Sequence, residues 1–235
     1  MTIRCGSTGS TAYKAGAPGL ALAAGLAAAL LLGCSTPSSG SESGTDSSGG
    51  GGTGTIAEES SLFGASAADP SLVEFSTNDS AYITERGYTL WALKAAAQSP
   101  FISREVVLTK TSGSAEAGYG IVFCHHDAGE RMLVAMIDAQ GEYIVGEALG
   151  STFSAIVPWT SSTYLRRGYN QDNTIELSLD SGARTFSLEI NGNVVKSFAA
   201  IESDYDLSGD NGYLVVVSPW DSFPGTPVSV NFKEQ

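Results

Sequence analysis

Several residue types are scarce in this sequence of 235 residues, and each shortage excludes a class of protein. Three cysteines, Cys5, Cys34 and Cys124, are too few for a small disulfide-stapled domain. Twelve basic residues against 25 acidic ones give a net charge of −13, which opposes binding to nucleic acid and anionic lipid headgroups. The Leu/Ala run at residues 20–32 is shorter than the about 20 residues of a transmembrane helix.

Signatures of catalysis and metal binding are also missing, since the sequence has no Gly-x-Ser-x-Gly, Cys-x-x-Cys or His-x-His pattern. Cys124, His125 and His126 are adjacent, and neighbouring side chains of a strand point to opposite faces. One strand therefore cannot aim both histidines at one metal ion, nor His125 at a nucleophilic Cys124. We predict no catalytic residue, no metal site and no cofactor here, and that Cys124 packs as a small hydrophobe.

What the sequence does contain begins with an apolar run that ends at a cysteine, with Leu31 three residues before Cys34 and Gly33 directly before it. This pattern resembles the lipobox of bacterial lipoproteins. The resemblance implies that a signal peptide, residues 1–33, is cleaved between Gly33 and Cys34, and that Cys34 carries acyl chains such as palmitate. It further implies an anchor in the bacterial cell envelope, with Ser35 favouring the outer membrane or the cell surface.

The segment after the predicted anchor is almost entirely Ser, Gly, Thr and Pro. Such a composition offers no apolar surface to offset the entropy of ordering, so residues 34–55 are expected to form a flexible tether that reaches roughly 25 Å. Residues 56–235 remain as a single folded domain, large enough to bury a core without staples.

Short runs rich in β-branched and aromatic residues dominate this domain, at residues 118–124, 131–137, 142–146, 173–179 and 184–190. The first two runs are apolar on both faces, with Val122 and Cys124 predicted to lie opposite Phe123, so these strands should be covered on both sides. The last two alternate between apolar and polar residues, as outer strands do.

Turn signals separate the runs, and Asn191 and Gly192 predict a two-residue type I′ hairpin. Residues 72–75 are predicted to be the first strand, at a sheet edge. For residues 95–98, the end of a short helix is an equally good interpretation. The domain is thus predicted to be all-β, an antiparallel β-sandwich of two sheets.

The runs at residues 119–123, 173–177 and 186–195 resemble the concanavalin A-like lectin/glucanase jelly roll, in particular its laminin G-like modules. The resemblance implies a jelly-roll fold that binds glycan or a protein partner. Glucanases of this fold carry a Glu-x-Asp-x-x-Glu strand, which is absent here. Glu142 and Glu147 should point to opposite faces of one strand, and neither they nor Glu202, Asp204 and Asp206 match the spacing of a catalytic pair.

In some members of the resembled superfamily loop carboxylates hold calcium. Asp204, Asp206 and Asp210 could do so here, although no defined ligand spacing supports this.

The loop aromatics are the best candidates for a binding site. Trp159, Tyr164 and Trp220, with Tyr169 nearby, stand beside Ser, Asn and Asp residues, a composition suited to stacking and hydrogen-bonding a sugar. The alternative is that the two tryptophans plug the ends of the sandwich. The leading function is a membrane-anchored, non-catalytic binding module; a glycoside-processing enzyme and a purely structural or adhesive surface module stay open.

Acylation of Cys34 can be tested directly. Metabolic labelling with a palmitate analogue should mark the wild-type protein and leave Cys34→Ser unlabelled, because the serine hydroxyl does not replace the thiol in this modification. A labelled Cys34→Ser protein would contradict the lipobox interpretation.

Overall fold

The structure is a computed structural model that describes residues 56–58, 62–85, 87–94, 103–126, 131–149, 152–180, 182–199 and 209–235. The predicted signal peptide, Cys34 and the tether lie outside the described residues, as do residues 95–98 and the acidic residues Glu202, Asp204 and Asp206. Predictions that concern these segments stay predictions.

The described residues are almost entirely in strands. The strands are β1 (Ile56–Glu58), β2 (Phe63–Ala65), β3 (Leu72–Thr77), β4 (Tyr88–Lys94), β5 (Ser103–Ser112), β6 (Tyr119–His126), β7 (Arg131–Ile137), β8 (Glu142–Leu149), β9 (Thr152–Ser161), β10 (Asp172–Asp180), β11 (Thr185–Ile190), β12 (Asn193–Ala199), β13 (Asp210–Val217) and β14 (Val228–Glu234). Within the described part, the helical content is a 3-10 turn at Ser80–Tyr82, and no helix there has the length and apolarity to cross a membrane.

The strands form two seven-stranded antiparallel sheets. The first sheet has the order β1-β4-β13-β6-β7-β8-β9, and the second has the order β12-β11-β10-β5-β14-β3-β2. The predicted all-β sandwich is therefore confirmed. The five strand runs seen in the sequence correspond to β6, β7, β8, β10 and β11.

The core lies between the inner faces of the two sheets. Phe123 of the first sheet packs against Phe186 of the second at 5.8 Å between ring centroids, and Tyr213 meets Phe232 at 4.8 Å. Each such side chain contributes roughly 1.5–3 kcal/mol through burial. The rest of the core includes, among others, Phe75, Val106, Leu108, Ile121, Ile175, Leu177, Leu188, Val215 and Val230.

The outer face of the first sheet, the face turned away from the second sheet, is apolar as well. Its buried side chains come from alternate positions of neighbouring strands, and they include Val122, Val134, Met136, Ile144 and Leu214. The prediction that residues 118–124 and 131–137 are covered on both faces is confirmed by this second cluster. Strict alternation is sufficient to assign these side chains to their faces.

Cys124 departs from that alternation, and its predicted position beside Val122 was wrong. It lies in the core between the sheets, on the side of Phe123. The pairing of β6 with β7 shifts register between Phe123 and His126, and Cys124 has a φ of +55°. A β-bulge at this point inserts an extra residue and turns the thiol inward.

The predicted edge strand at residues 72–75 was also misplaced. β3 pairs with β14 on one side and with β2 on the other, so it is not the edge. Two three-residue strands, β1 and β2, precede it in the chain. Three residues are too few to show an alternating pattern, so these strands are defined by backbone pairing alone.

The Asn191-Gly192 turn is confirmed, since both residues have positive φ, +51° and +75°. It joins β11 to β12 with the twist that a type I′ turn provides.

β5 carries a basic side chain at each end of its inward face. Arg104 donates from Nη1 to the carbonyls of Val122 at 3.0 Å and Gly212 at 2.7 Å, and from Nη2 to Glu234 at 2.8 Å. Burial alone would raise the pKa of Glu234, but the charge of Arg104 and hydrogen bonds from Lys94 lower it to about 2. Arg104 thereby links the second sheet to two strands of the first.

Core packing predicts a large stability loss for Leu188→Ala. Leu188 is 1% exposed, so truncation should lower the free energy of unfolding by about 2–5 kcal/mol, as measured by urea denaturation. Leu149→Ala is the matched control, because Leu149 is 46% exposed and should change stability by less than about 0.5 kcal/mol. Equal losses in the two variants would contradict the assigned core.

Candidate functional site

The loops after β3, β5, β7, β9, β11 and β13 emerge at the same end of the sandwich, because neighbouring strands of each sheet are antiparallel and these loops either join two neighbours or cross between the sheets. We call the part of this end that the last five of these loops form the loop end; it consists of residues 113–118, 138–141, 162–171, 191–192 and 218–227. Backbone hydrogen bonds join its loops, including Ala139 N to Ala115 O at 2.9 Å and Gly168 N to Ala139 O at 2.8 Å. The loop end is a continuous surface built from both sheets.

Asp221 ties two of these loops together. Its carboxylate accepts the N–H of Ser114 at 2.6 Å and the N–H of Ser218 at 2.7 Å, and the residue is buried. The Tyr169 hydroxyl donates to the carbonyl of Gly113, the residue before Ser114. Burial and the nearby Asp221 charge raise the pKa of Tyr169. Tyr169 and Asp221 thus form hydrogen bonds to the same turn, at Gly113 and Ser114, from two different loops.

Two asparagines fix the loop of residues 162–171. Asn173, which is 1% exposed, accepts the N–H of Arg166 at 2.8 Å and donates to its carbonyl at 2.9 Å. Asn191 donates to the carbonyl of Tyr164 at 2.7 Å, and its Oδ1 accepts the N–H of Thr174 at 2.9 Å. The backbone of this loop is therefore held at two points, while its exposed side chains are free for contact.

Lys110 lies beneath the loops and is fully buried. Its amino group donates to the carbonyl of Ala117 at 2.9 Å and lies 5.5 Å from the centre of the Tyr119 ring. Burial lowers the pKa of Lys110 to about 8, against the opposing effect of Asp221 and Asp138. A buried cation at this position favours carboxylates on the loops that cover it.

Asp138 occupies the turn between β7 and β8. Its Oδ1 accepts the N–H groups of Gln140 at 3.0 Å, Gly141 at 2.9 Å and Glu142 at 2.8 Å. Burial raises the pKa of Asp138 to about 6, although these backbone bonds pull it down. Its carboxylate is committed to the turn, so it serves structure rather than a ligand.

Exposed aromatic rings cover this ordered base. Trp220 is 68% exposed, Tyr164 is 48% exposed and Tyr169 is 41% exposed. The backbone N–H of Trp220 donates to the hydroxyl of Ser218 at 3.1 Å, and Trp220 directly precedes the buried Asp221. The combination of fixed backbone and exposed rings suits recognition of a ligand with flat apolar faces.

Trp159 is placed differently from the other predicted aromatic residues. It is half-buried and packs with the outer face of the first sheet. A methyl group placed on Gly118 would lie 3.2 Å from its ring and 3.1 Å from the sulfur of Met136. The loop end therefore brings Tyr164, Tyr169 and Trp220 together on one surface, whereas Trp159 belongs to the apolar outer face.

Of the acidic candidates for catalysis, the two that the structure describes, Glu142 and Glu147, do not form a catalytic pair. Glu142 shares its side of β8 with Ile144 of the outer face, whereas Glu147 shares its side with Tyr143 of the core. Glu142 accepts the hydroxyl of Ser161 at 2.9 Å, and Glu147 pairs with Arg131 at 2.9 Å. The two carboxyl groups lie on opposite faces, as the alternation predicted.

No metal site is evident in the described part of the chain, where no group of three His, Cys, Asp or Glu side chains is arranged to hold an ion. His125 is buried at the end of β6. Of the acidic residues considered for calcium, Asp210 begins β13 and the others lie outside the described residues.

The sequence interpretation missed several residues that build the loop end, above all Lys110, Asp221, Arg166 and Arg167. Lys110 had a usable signal, because it is in phase with the inward-facing Val106 and Leu108 of β5. The other three lie in loops, where no periodicity indicates which way a side chain points.

The amino-acid sequence matches no known protein-family model and no curated protein. Among solved structures, the chain is similar to a β-glucanase of Bacillus licheniformis, with a TM-score of 0.51 at 7% identity over 80% of this chain and 88% of that one. The carbohydrate-binding module CBM66 of Bacillus subtilis aligns with a TM-score of 0.48 at 15% identity, over 77% of this chain and 92% of that one. Sheep galectin-11 aligns with a TM-score of 0.36 at 11% identity, over 62% of this chain and 96% of that one.

At 7% identity, the similarity to the glucanase establishes the fold and nothing about the reaction or ligand. The two-sheet antiparallel sandwich expected from the sequence agrees with that fold.

The buried amine predicts an unusual pH dependence of stability. Above about pH 8 the folded protein loses the Lys110 proton, while the unfolded chain keeps it to about pH 10.5, so the unfolded state binds more protons. Stability from this group should therefore rise between about pH 8 and 9.5, by up to about 1.4 kcal/mol per pH unit. Urea midpoints of Lys110→Met should lack this rise.

The exposed Lys196 supplies the control, since Lys196→Met should keep the pH dependence of the wild type. A Lys110→Met protein with the wild-type slope would show that Lys110 does not titrate in this range.

Proposed function

We propose that the protein displays a non-catalytic glycan-binding module and that the loop end is its binding surface. The observation that carries this proposal is the exposed indole of Trp220, on a loop whose backbone is held by Ser218 and Asp221. An aromatic ring that is presented to solvent on an ordered base can stack against the apolar face of a sugar with little loss of conformational entropy.

The chemistry around the rings supports a sugar ligand. Pyranose and furanose rings present C–H faces and hydroxyl edges, so their binding sites combine aromatic faces with hydrogen-bonding groups. At the loop end the exposed polar residues Asn170, Gln171 and Ser222 stand in the same loops as Tyr169 and Trp220. Both kinds of contact are therefore available on this surface.

The outer face of the first sheet is a weaker candidate. Val122, Met136 and Ile144 there are almost completely buried and offer no hydrogen-bonding side chain. A hydroxyl-rich ligand needs accessible polar partners, which this face lacks at those positions. The loop end is thus the better site for a glycan.

The enzyme alternative finds no specific support in the described residues. Glycoside hydrolysis uses two carboxyl groups that flank one bond, about 5–5.5 Å apart in retaining enzymes and about 6.5–9.5 Å apart in inverting ones. Glu142 and Glu147 lie on opposite faces, and each has a partner of its own in Ser161 or Arg131. For these reasons we propose binding without catalysis.

We propose further that Cys34 anchors the domain to a bacterial envelope membrane, at the outer membrane or cell surface, through the tether of residues 34–55. The topology supports this arrangement. Ile56 of β1 pairs with Lys94, the last residue of β4, and β4 begins at Tyr88 beside Val217, where the loop end lies. The chain therefore enters the sandwich at the end opposite the loop end, which would direct the binding surface away from the membrane.

The binding proposal is tested by Trp220→Ala on a glycan array probed with the purified protein. The variant should bind its best glycan about tenfold or more weakly, because truncation of a central aromatic anchor typically costs about 1.4 kcal/mol or more. Its urea midpoint should match that of the wild type, because a ring that is 68% exposed contributes little to folding.

Leu149→Ala removes an exposed apolar side chain from the far end of β8 and should leave glycan binding intact. If Trp220→Ala unfolds the domain, the indole is an end plug and the argument for stacking is lost. If the wild-type protein binds no glycan on the array, a structural or adhesive role replaces the proposed one.

A further inference from the structure

The loop that carries two of the exposed aromatic rings also carries two consecutive exposed arginines. Tyr164, Arg166, Arg167 and Tyr169 are all exposed, while Leu165 between them is buried in the core and pins the loop to the sandwich. Because Leu165 holds the segment against the core, the basic and aromatic side chains on either side of it face solvent together.

Exposed arginines without an acidic partner stand out in a protein with a net charge of −13. The ion pairs of the described residues join Lys94 and Arg104 to Glu234, Arg131 to Glu147, and Lys233 to Asp69. Neither Arg166 nor Arg167 takes part in an ion pair within the described part of the chain. Their charges are available to a ligand.

Four carboxylates of the loop end and of the strands that begin there accept hydrogen bonds from other groups. Asp172 accepts the hydroxyl of Thr109 at 2.6 Å, Asp138 accepts three backbone N–H groups, and Glu142 accepts the hydroxyl of Ser161 at 2.9 Å. Asp221 accepts the backbone N–H groups of two loops. These bonds hold the loops, and among the described residues no carboxylate forms an ion pair with either guanidinium group.

Both arginines are positioned by their surroundings. The backbone of Arg166 is held on both sides by Asn173, and its Nη1 donates to the carbonyl of Asp172 at 3.1 Å. The side chain of Arg167 lies across the β7–β8 turn, where a methyl group on Gly141 would come within 2.6 Å of its Nε. Glycine at that position, with a φ of +95°, leaves the space that the arginine fills.

We infer that the glycan bound at the loop end is anionic, with carboxylate or sulfate groups, and that Arg166 and Arg167 bind those groups. This inference rests on the proposed glycan-binding function and adds the charge class of the ligand. Guanidinium groups hold carboxylates and sulfates through paired, charge-assisted hydrogen bonds, while Tyr164 and Tyr169 supply ring contacts beside them. Nonspecific attraction is not involved, because the net charge of the protein repels a polyanion.

The test uses an array of neutral, uronic-acid-containing, sialylated and sulfated glycans, probed with the purified protein. Binding should concentrate on the acidic glycans. For the best of these, the dissociation constant should rise about tenfold in each of the single variants Arg166→Gln and Arg167→Gln, as expected for the loss of one charge-assisted contact. The double variant, which carries both substitutions, should lose both contacts. The carboxyl-reduced or desulfated form of the same glycan should bind the wild type as weakly as the double variant binds the acidic form.

Arg184→Gln is the matched control, because Arg184 is exposed in the turn between β10 and β11, at the opposite end of the sandwich. It should bind like the wild type. Replacement of Arg166 and Arg167 by lysine should recover part of the affinity through charge but not the paired hydrogen bonds.

The outcomes separate the two proposals. Binding to neutral glycans that is lost in Trp220→Ala but unchanged in the arginine variants would overturn the anionic ligand and leave the glycan-binding function in place. Absence of binding to every glycan would overturn both. Equal loss in Arg184→Gln and in the loop variants would show a general charge effect and overturn the assignment of Arg166 and Arg167.

Discussion

The inward face of β5 determines how the two sheets hold each other. Its alternate residues are Arg104, Val106, Leu108 and Lys110, two aliphatic side chains between two cations. The aliphatic pair packs in the core. Arg104 bonds to two carbonyls of the first sheet, Lys110 bonds to the carbonyl of Ala117 in the loop before β6, and each cation lies near an aromatic ring. A buried cation is tolerated only with such partners, so each end of the sandwich must supply them.

The loop end is a consequence of that requirement. Lys110 attracts Asp221 and Asp138, and these carboxylates in turn accept backbone N–H groups from the loops that cover the lysine. With Asp221 and Asp138 engaged in holding the backbone, the exposed aromatic rings and the two arginines are left for contact, beside polar residues such as Asn170 and Ser222. A protein with a large negative charge thus presents a surface of rings and guanidinium groups, the composition that suits an anionic sugar.

Much of the fold was predictable because it depends on short-range patterns. Alternation located β10 and β11, the double apolar runs located β6 and β7, and Asn191-Gly192 located a hairpin. The failures have one cause in common, a dependence on neighbours in space. The bulge at Cys124 reflects the register with β7, and the inner position of β3 reflects its pairing with the three-residue β2.

For the candidate site, too, local patterns determined some properties and neighbours in space determined the others. The sequence by itself determined that the domain is an all-β sandwich and that Trp220, Tyr164 and Tyr169 belong to loops, because local composition and periodicity carry that information. Only the tertiary structure decided that these loops meet at one end, that Trp159 lies apart from them, and that Arg166 and Arg167 have no acidic partner among the described residues. Those properties depend on which strands are antiparallel neighbours and on which carboxylates the backbone occupies, and no local pattern encodes either.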